Sequence, residues 1–292
     1  GDDAAVFVPS GPVVVSTDTA VAGRHFRFDW SSPRQIGARA VVQSAADIAA
    51  MGGVPTGIVV SIGCPPSTPV ERVLELNAGI VAQSHAYGAR VLGGDLVSSA
   101  EVILTVTSLG VLDGTAAVAL SGARVGDVLA ISGPLGGPAG GLAALAVVEH
   151  GADRALLDRF SSLVGDYRLP QPDLSQGRIA AVAGAHAMTD VSDGLVEELI
   201  TLSAASLVRL DVDSSRVPRA AGLTELGAAL GVDPLRWVLG GGEEHQLLAS
   251  FAPDTVPAGW TVIGAVSEGA PGGWVDGDPV GEIRGWQSFT DT

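Results

Sequence analysis

Apolar and polar positions alternate over residues 13–18, predicting a strand with Ser16 and Asp18 on one face. A helix is predicted over 33–51, opened by Ser32 and Pro33 as N-cap and N1 and stopped at Gly52 and Gly53. Residues 56–62 read as a strand, and 69–87 as an amphipathic helix carrying Val70, Val73, Leu74, Ile80 and Val81. Val91 and Leu92 then form an apolar run that ends in Gly93, Gly94 and Asp95. Residues 101–112 predict a long strand, closed by the hairpin signal Asp113-Gly114. The pattern changes near residue 120, where we place a domain boundary. A strand over 128–132, a glycine-rich run over 133–141 and helical stretches to about 184 follow, with a rigid break at Leu169-Pro170-Gln171-Pro172. A short strand leads into Asp190, and Asp190 and Ser192, two apart, are expected on one face. Asp193 falls at the N-cap of a helix marked by Leu195, Leu199, Leu202 and Leu207, with Val196 and Ile200 beside them. Strands at 208–212, 246–251 and 260–266 and a hairpin at 274–278 complete an α/β (α+β) chain of two domains, 1–120 and 121–292.

Composition narrows the chemistry. The net charge of −16 over 292 residues argues against nucleic acid or an anionic membrane as partner. All 16 basic residues are arginine. A Walker A loop, the strand lysine of protein kinases and Schiff-base chemistry all need lysine, so these are excluded. One cysteine, Cys64, allows no intrachain disulfide, and the five histidines are scattered without ligand spacing. No apolar run has the length of a membrane span, and a cytoplasmic location is expected. Gly1 already lies inside a motif without an initiator Met, so further residues are expected before it.

Acids recur where apolar segments end. Asp2 and Asp3 precede an apolar stretch, and Asp18, Asp95 and Asp190 lie at or near expected strand ends. Asp47 shares a helix sector with Ile36, Ala40, Ser44 and Met51 at about 100° per residue. A buried carboxylate there has to be neutral, paired or metal-bound; capping a neighbouring loop and holding a metal both satisfy this. The glycines beside Asp95 suit a close backbone approach or a tight turn. The run over 133–141 suits phosphate binding or close helix packing, and Trp286 a packing role or a platform for a flat ring. If Asp3, Asp18, Asp47, Asp95, Asp190 and Asp193 converge, their repulsion demands cations. Oxygen-only ligands select magnesium, with manganese as a substitute, over zinc or copper, and several magnesium ions imply a polyphosphate. No nucleophile–base pair is apparent, and a phosphate monoester, itself anionic, requires none.

Seven motifs then stand in order: GDDAA at Gly1, STDTAVAGRHF at Ser16, SAADIAAMGG at Ser44, LGGDL at Leu92, DVSDGL at Asp190, GGEEHQLL at Gly241 and RGWQSF at Arg284. Together they resemble the thiamine-monophosphate kinases, in the superfamily of aminoimidazole ribonucleotide synthetase and selenophosphate synthetase. The resemblance implies that Asp3, Ser16, Thr17, Asp18, Asp47, Asp95, Asp190 and Asp193 hold several magnesium ions. It implies that Gly94, Asp95 and Ser192 touch ATP, and that His25, Glu243 and Trp286 contact thiamine monophosphate. It also implies an N-terminal ATP- and metal-binding domain whose sheet pairs with its twin as a homodimer barrel, and a C-terminal mixed sheet flanked by helices, with the cleft between. The chain departs from the family pattern at Leu120, where Arg is usual, and at Asn77, where an aromatic is common. At Glu243-Glu244-His245 the usual residues are Glu, Asp and Tyr. Two other readings stay open: a superfamily synthetase that activates an amide oxygen with ATP, and a non-catalytic protein that binds calcium or magnesium.

Overall fold

A computed structural model describes residues 4–281 and 283–286. The chain divides into two compact units, Gly1–Ala117 and Val118–Thr292.

The first unit runs β1 (Val13–Val21), α1 (Pro33–Ala50), β2 (Val54–Cys64), α2 (Val70–Ala86), β3 (Arg90–Ser98) and β4 (Ile103–Val111). Its four-stranded sheet has the order β1-β4-β2-β3. β1 and β2 flank β4 antiparallel, and β3 joins β2 in parallel at one edge. Alternation decides the faces. Ala20, Ile58, Val60, Ile62, Leu104 and Val106 form one core with Ile36, Ala40 and Val41 of α1 and Leu76 and Ile80 of α2. The residues between them, including Val15 and Val59, stay exposed on the other face.

α1 starts as the pattern predicts. Ser32 Oγ accepts from Gln35 N at 3.3 Å while Gln35 Oε1 accepts from Ser32 N at 3.0 Å, a reciprocal capping box. The two helices cross at glycine. A Cβ on Gly37 would lie 2.1 Å from Leu76 O, and one on Gly79 would lie 1.9 Å from Arg34 O. Because α1 packs on the sheet as well as on α2, 13 of its 18 residues are buried, on nearly every side. Asp47 is not among them. The narrow apolar sector expected from periodicity therefore does not exist, and Asp47 occupies a half-open position instead of the buried stripe.

Other expectations shift for local reasons. On α2 the packing residues are Leu76, Gly79, Ile80 and Ser84, whereas Val70 and Leu74 are exposed. β3 does not end at Asp95 but runs on to Ser98, because β2 supplies partners along that whole length. No hairpin follows Asp113-Gly114; β4 already has β1 and β2 on its two sides.

The second unit runs β5 (Val128–Ile131), α3 (Gly137–Glu149), α4 (Ala155–Arg159), α5 (Ser161–Arg168), α6 (Ser175–Val182), β6 (Ala187–Asp190), α7 (Leu195–Ser206), β7 (Arg209–Val212), α8 (Leu223–Leu230), α9 (Leu235–Gly240), β8 (Leu247–Phe251), β9 (Thr261–Ser267), β10 (Gly272–Val275) and β11 (Asp278–Pro279). Its mixed seven-stranded sheet has the order β11-β10-β7-β9-β5-β8-β6, with β10 parallel to β7 and the other neighbours antiparallel. Leu129, Ile131, Leu135, Leu163, Met188, Leu195 and Phe251 are among its most buried side chains.

In the 133–141 run, a Cβ on Gly137, Gly140 or Gly141 would meet Asp166 Oδ2 at 2.6 Å, Leu223 Cδ1 at 2.6 Å or Leu163 O at 2.1 Å respectively. Close packing accounts for these three glycines. Trp237, Val238 and Leu239 lie on the short helix α9. The N-cap of α7 is Gly194, at φ 108°, not Asp193, and β6 stops at Asp190, so Ser192 lies beyond the strand. Leu207 is the left-handed C-cap of α7 and is exposed, outside the stripe formed by Leu195, Leu199 and Leu202.

Gly79→Ala should destabilise the first unit by about 1–3 kcal/mol or more, because two helix backbones must separate to admit one methyl group. An unchanged melting transition in calorimetry would refute this account of the helix crossing.

Candidate functional site

In the first unit β1 and α1 bring Ser16 and Asp47 together: Ser16 Oγ donates to Asp47 Oδ2. Asp18 lies two residues along the same face of β1, in the row of Val106, Val60 and Gly94. Thr17 points to the opposite face, its hydroxyl 3.0 Å from that of Thr107. Asp95, opposite Ser61, falls in the row of Thr19 and Thr105, so the sheet does not place its side chain beside Asp18. Its Oδ1 accepts from Leu96 N at 2.9 Å. Asp3 lies outside the described residues.

A groove of about 530 Å³ opens between α2 and β3, lined by Val60, Ile62, Val73, Leu74, Asn77, Val91, Gly93, Gly94, Asp95 and Leu96. Its walls are mostly apolar, with the Asn77 amide among them. A Cβ on Gly94 would lie 2.1 Å from Val60 O, so the neighbouring strand requires this glycine; Gly93 faces open space. His25 sits in the turn after β1, where its Nδ1 accepts from Val21 N at 3.0 Å, leaving the ring proton on Nε2.

The second unit gathers acids around one turn, 190–194. The loop 240–246 is laid along this turn by backbone bonds: Glu243 N to Ser192 O at 2.8 Å, His245 N to Val191 O at 3.1 Å, and Val191 N to Gln246 O at 2.7 Å. The approach demands glycine at 242, where φ is 82° and a Cβ would lie 2.4 Å from Ser192 O. Glu243 at φ 68° and His245 at φ 54° also occupy the left-handed region, which non-glycine residues adopt at a cost that surrounding contacts have to offset.

His245, 3% exposed, places Nδ1 2.9 Å from Asp190 Oδ2, with Nε2 3.8 Å from Glu243 Oε2. Burial alone would pull its pKa down; the hydrogen bond to Asp190 and the nearby carboxylates of Asp190 and Glu243 overcome that and push it up to about 10. Asp193 is pushed up by burial first, then by the charges of Glu243, Asp190 and Glu197. Behind the turn, Glu198 accepts from Ser192 Oγ and Asp193 N, each at 3.3 Å. Burial, then the Asp190 charge, push Glu198 up to about 7. Glu244 faces away from the turn and accepts from Gly136 N, at the start of α3, at 2.6 Å; burial pushes it up to about 8.

The RGW motif is clamped to the same turn. Arg284 Nε and Gly285 N donate to Glu197 Oε1 at 2.8 and 3.0 Å, and Trp286 N donates to Asp193 O at 3.0 Å. A Cβ on Gly285 would lie 1.8 Å from Asp193 O, so this contact also requires glycine. Trp286 is thereby held beside Asp193 with 44% of its surface exposed. Glu197, Glu198 and the clasping role of His245 are absent from the sequence expectations. The only signal for the two glutamates was a pair of acids in the first turn of a helix, which ordinarily reads as dipole compensation.

Among the described residues no group of three or more His, Cys, Asp or Glu is arranged to hold a metal ion. The side chains around 190–194 nevertheless suit a hard cation: the donors are oxygens, and Asp193 is raised by burial and then by like charges, the part that a divalent ion would relieve.

Residues 1–112 match the family model "AIR synthase related protein, N-terminal domain", and residues 124–258 match "AIR synthase related protein, C-terminal domain". The chain is 44% identical over 291 residues to thiamine-monophosphate kinase of Mycobacterium tuberculosis, covering 99% of this chain and 85% of the relative. It is 41% identical to the kinase of Corynebacterium glutamicum, covering 92% and 81%. Among solved structures it is similar to thiamine monophosphate kinase from Aquifex aeolicus, with a TM-score of 0.84, 27% identity, and 94% and 92% of the two chains covered. It is also similar to AaThiL complexed with AMPPCP and TMP, with a TM-score of 0.88, 28% identity, and 98% and 90% covered.

In metal-free protein Glu198, Glu244 and His245 all bind their protons more tightly folded than unfolded. Their contribution to stability is fully present below the unfolded values and lost as pH rises through about 7, 8 and 10 respectively. The melting temperature in chelator should therefore fall as pH is raised from about 6 to 9, every tenfold gain in proton affinity on folding being worth at most about 1.4 kcal/mol. Glu244→Gln should flatten the slope below about pH 8; a variant slope coinciding with the parent's would show that Glu244 carries no such proton.

Proposed function

The chain belongs to the thiamine-monophosphate kinases of the AIR synthase related family, and from that membership we propose that it transfers the γ-phosphoryl group of ATP to thiamine monophosphate, giving thiamine diphosphate and ADP. The observation that carries the reading is the turn at 190–194, where Asp190, Asp193 and Glu243 are crowded by backbone pinning in a chain without lysine. Such crowding is costly unless a cation shares the site.

In the second unit Asp190 and Asp193 are the residues we assign to magnesium; in the first unit Ser16, Asp18 and Asp47 are so assigned. When bound, magnesium neutralises the polyphosphate and the charge that develops during transfer. Thr17 and Asp95 lie on the other sheet face from Ser16 and Asp18, so their side chains are not assigned to that group. The groove at Gly94 and Asp95 is assigned to the nucleotide, and Ser192 of the second unit is likewise assigned to contact with ATP. His25, Glu243 and Trp286, the last an aromatic with 44% of its surface exposed, are the residues assigned to the substrate. No residue is assigned as general base, since the terminal phosphate of the substrate is itself an anionic nucleophile. The protein's part is alignment and electrostatic stabilisation.

We further propose a homodimer and a cytoplasmic location. The exposed sheet face of the first unit, with Val13, Val15, Val59 and Val97 between 41% and 58% exposed, supports pairing with a second copy. Sedimentation should give a dimer, shifted towards monomer by Val15→Glu. Among the described residues no helix is long and apolar enough to cross a membrane.

Phosphorus NMR of the protein with ATP, magnesium and thiamine monophosphate should show a new diphosphate signal together with ADP and without free phosphate. ATP consumed without that product would favour the synthetase reading, and metal binding without ATP binding the non-catalytic one. Asp47→Asn should abolish turnover with the circular dichroism unchanged, and Trp286→Ala should raise KM for the thiamine substrate. A near-normal rate in Asp47→Asn would remove that residue from the metal group.

A further inference from the structure

We propose that His245 is a positioning residue that joins the metal-side carboxylate of Asp190 to the substrate-side carboxylate of Glu243 through one imidazole ring; the inference rests on the functional reading above. Three observations converge on the ring. It is 3% exposed, so its position is set by the protein and not by solvent. Nδ1 lies 2.9 Å from Asp190 Oδ2, an atom that as a carboxylate oxygen accepts, so Nδ1 supplies the proton. On the far side of the ring Nε2 lies 3.8 Å from Glu243 Oε2, just beyond a hydrogen bond, so a shift of Glu243 by about 1 Å closes the link.

The backbone shows that the placement is enforced. His245 is held at φ 54°, a conformation that residues bearing a side chain rarely adopt, while its own N–H is bonded to Val191 O. Glu243, two residues earlier, is held at φ 68° with its N–H on Ser192 O. The strained loop thus points both side chains back at the turn it is bonded to. A ring packed only to fill space would need neither its Nδ1 directed at the one oxygen nor its Nε2 directed at the other. A tyrosine, common here in the family, has a single hydroxyl and cannot offer donors on both edges of the ring.

The test uses Asn and Leu at this position. Asparagine tolerates the left-handed backbone and puts its amide nitrogen near the place of Nδ1, but has nothing at Nε2. Leucine has neither donor. Binding of Mn²⁺ to the full chain, followed by its electron paramagnetic resonance signal with a non-hydrolysable ATP analogue present, reads the Asp190 arm independently of turnover. KM for thiamine monophosphate, against kcat, reads the Glu243 arm. His245→Leu should weaken Mn²⁺ binding by about 10- to 100-fold. His245→Asn should bind Mn²⁺ within about threefold of the parent, yet share with His245→Leu a raised KM. A Mn²⁺ affinity unchanged in His245→Leu, or lowered equally in both variants, would overturn the Asp190 arm; an unchanged KM in both would overturn the Glu243 arm. A parent protein that binds no Mn²⁺ and makes no thiamine diphosphate would sink the functional reading itself, a result distinct from either.

Discussion

Crowding of carboxylates around residues 190–194 is the constraint on which the second unit depends. Asp190, Asp193, Glu197, Glu198 and Glu243 all act on this turn, in a chain of net charge −16 that has no lysine to offset them. Such an arrangement does not assemble by attraction; backbone bonds enforce it. The 240–246 loop is fastened to Val191 and Ser192, Gly285 and Trp286 are fastened to Glu197 and Asp193, and glycines at 242 and 285 permit approaches that any Cβ would block. The cations brought to the turn, His245 and Arg284, are engaged by Asp190 and Glu197. Asp193 keeps a raised proton affinity, the electrostatic state from which a divalent cation has most to gain.

The first unit reaches its geometry by shape more than by charge. Glycine at 37 and 79 lets α1 and α2 touch backbone to backbone, and glycine at 110 admits Ile48 of α1 against β4. With α1 seated this closely, the Asp47 carboxylate meets the Ser16 hydroxyl on β1. Helix packing and donor placement are thus one event: a methyl group at the crossing would move the carboxylate as well as loosen the core.

Both sheets also decide which acids share a face. β1 alternates as its sequence indicates, so Ser16 and Asp18 face one way and Thr17 the other. Asp95 takes its face from strand pairing. An apolar run followed by Gly-Gly-Asp reads locally as a strand that stops, yet β2 offers unpaired backbone along its whole length and draws β3 on to Ser98. The pairing partner, not the local residues, set the length of the strand and hence the face that Asp95 takes.

The sequence alone determined the elements whose causes are local: the capped start of α1, strands predicted over 13–18, 56–62 and 101–112 where β1, β2 and β4 lie, the Leu195–Leu199–Leu202 stripe, and the motifs that carry the family resemblance. It also excluded chemistry that depends on lysine, because lysine content needs no fold to be read. Only tertiary structure decided what depends on partners distant in the chain. Periodicity put Asp47 in a buried stripe, but packing on the sheet and on α2 buries α1 nearly all round and leaves Asp47 half open. A cap rule gave Asp193 to the helix, but Gly194 takes that place and frees Asp193 for the turn. His245 read as a departure from a common tyrosine, and only the return of its loop to Asp190, 55 residues earlier, showed what the ring can hold.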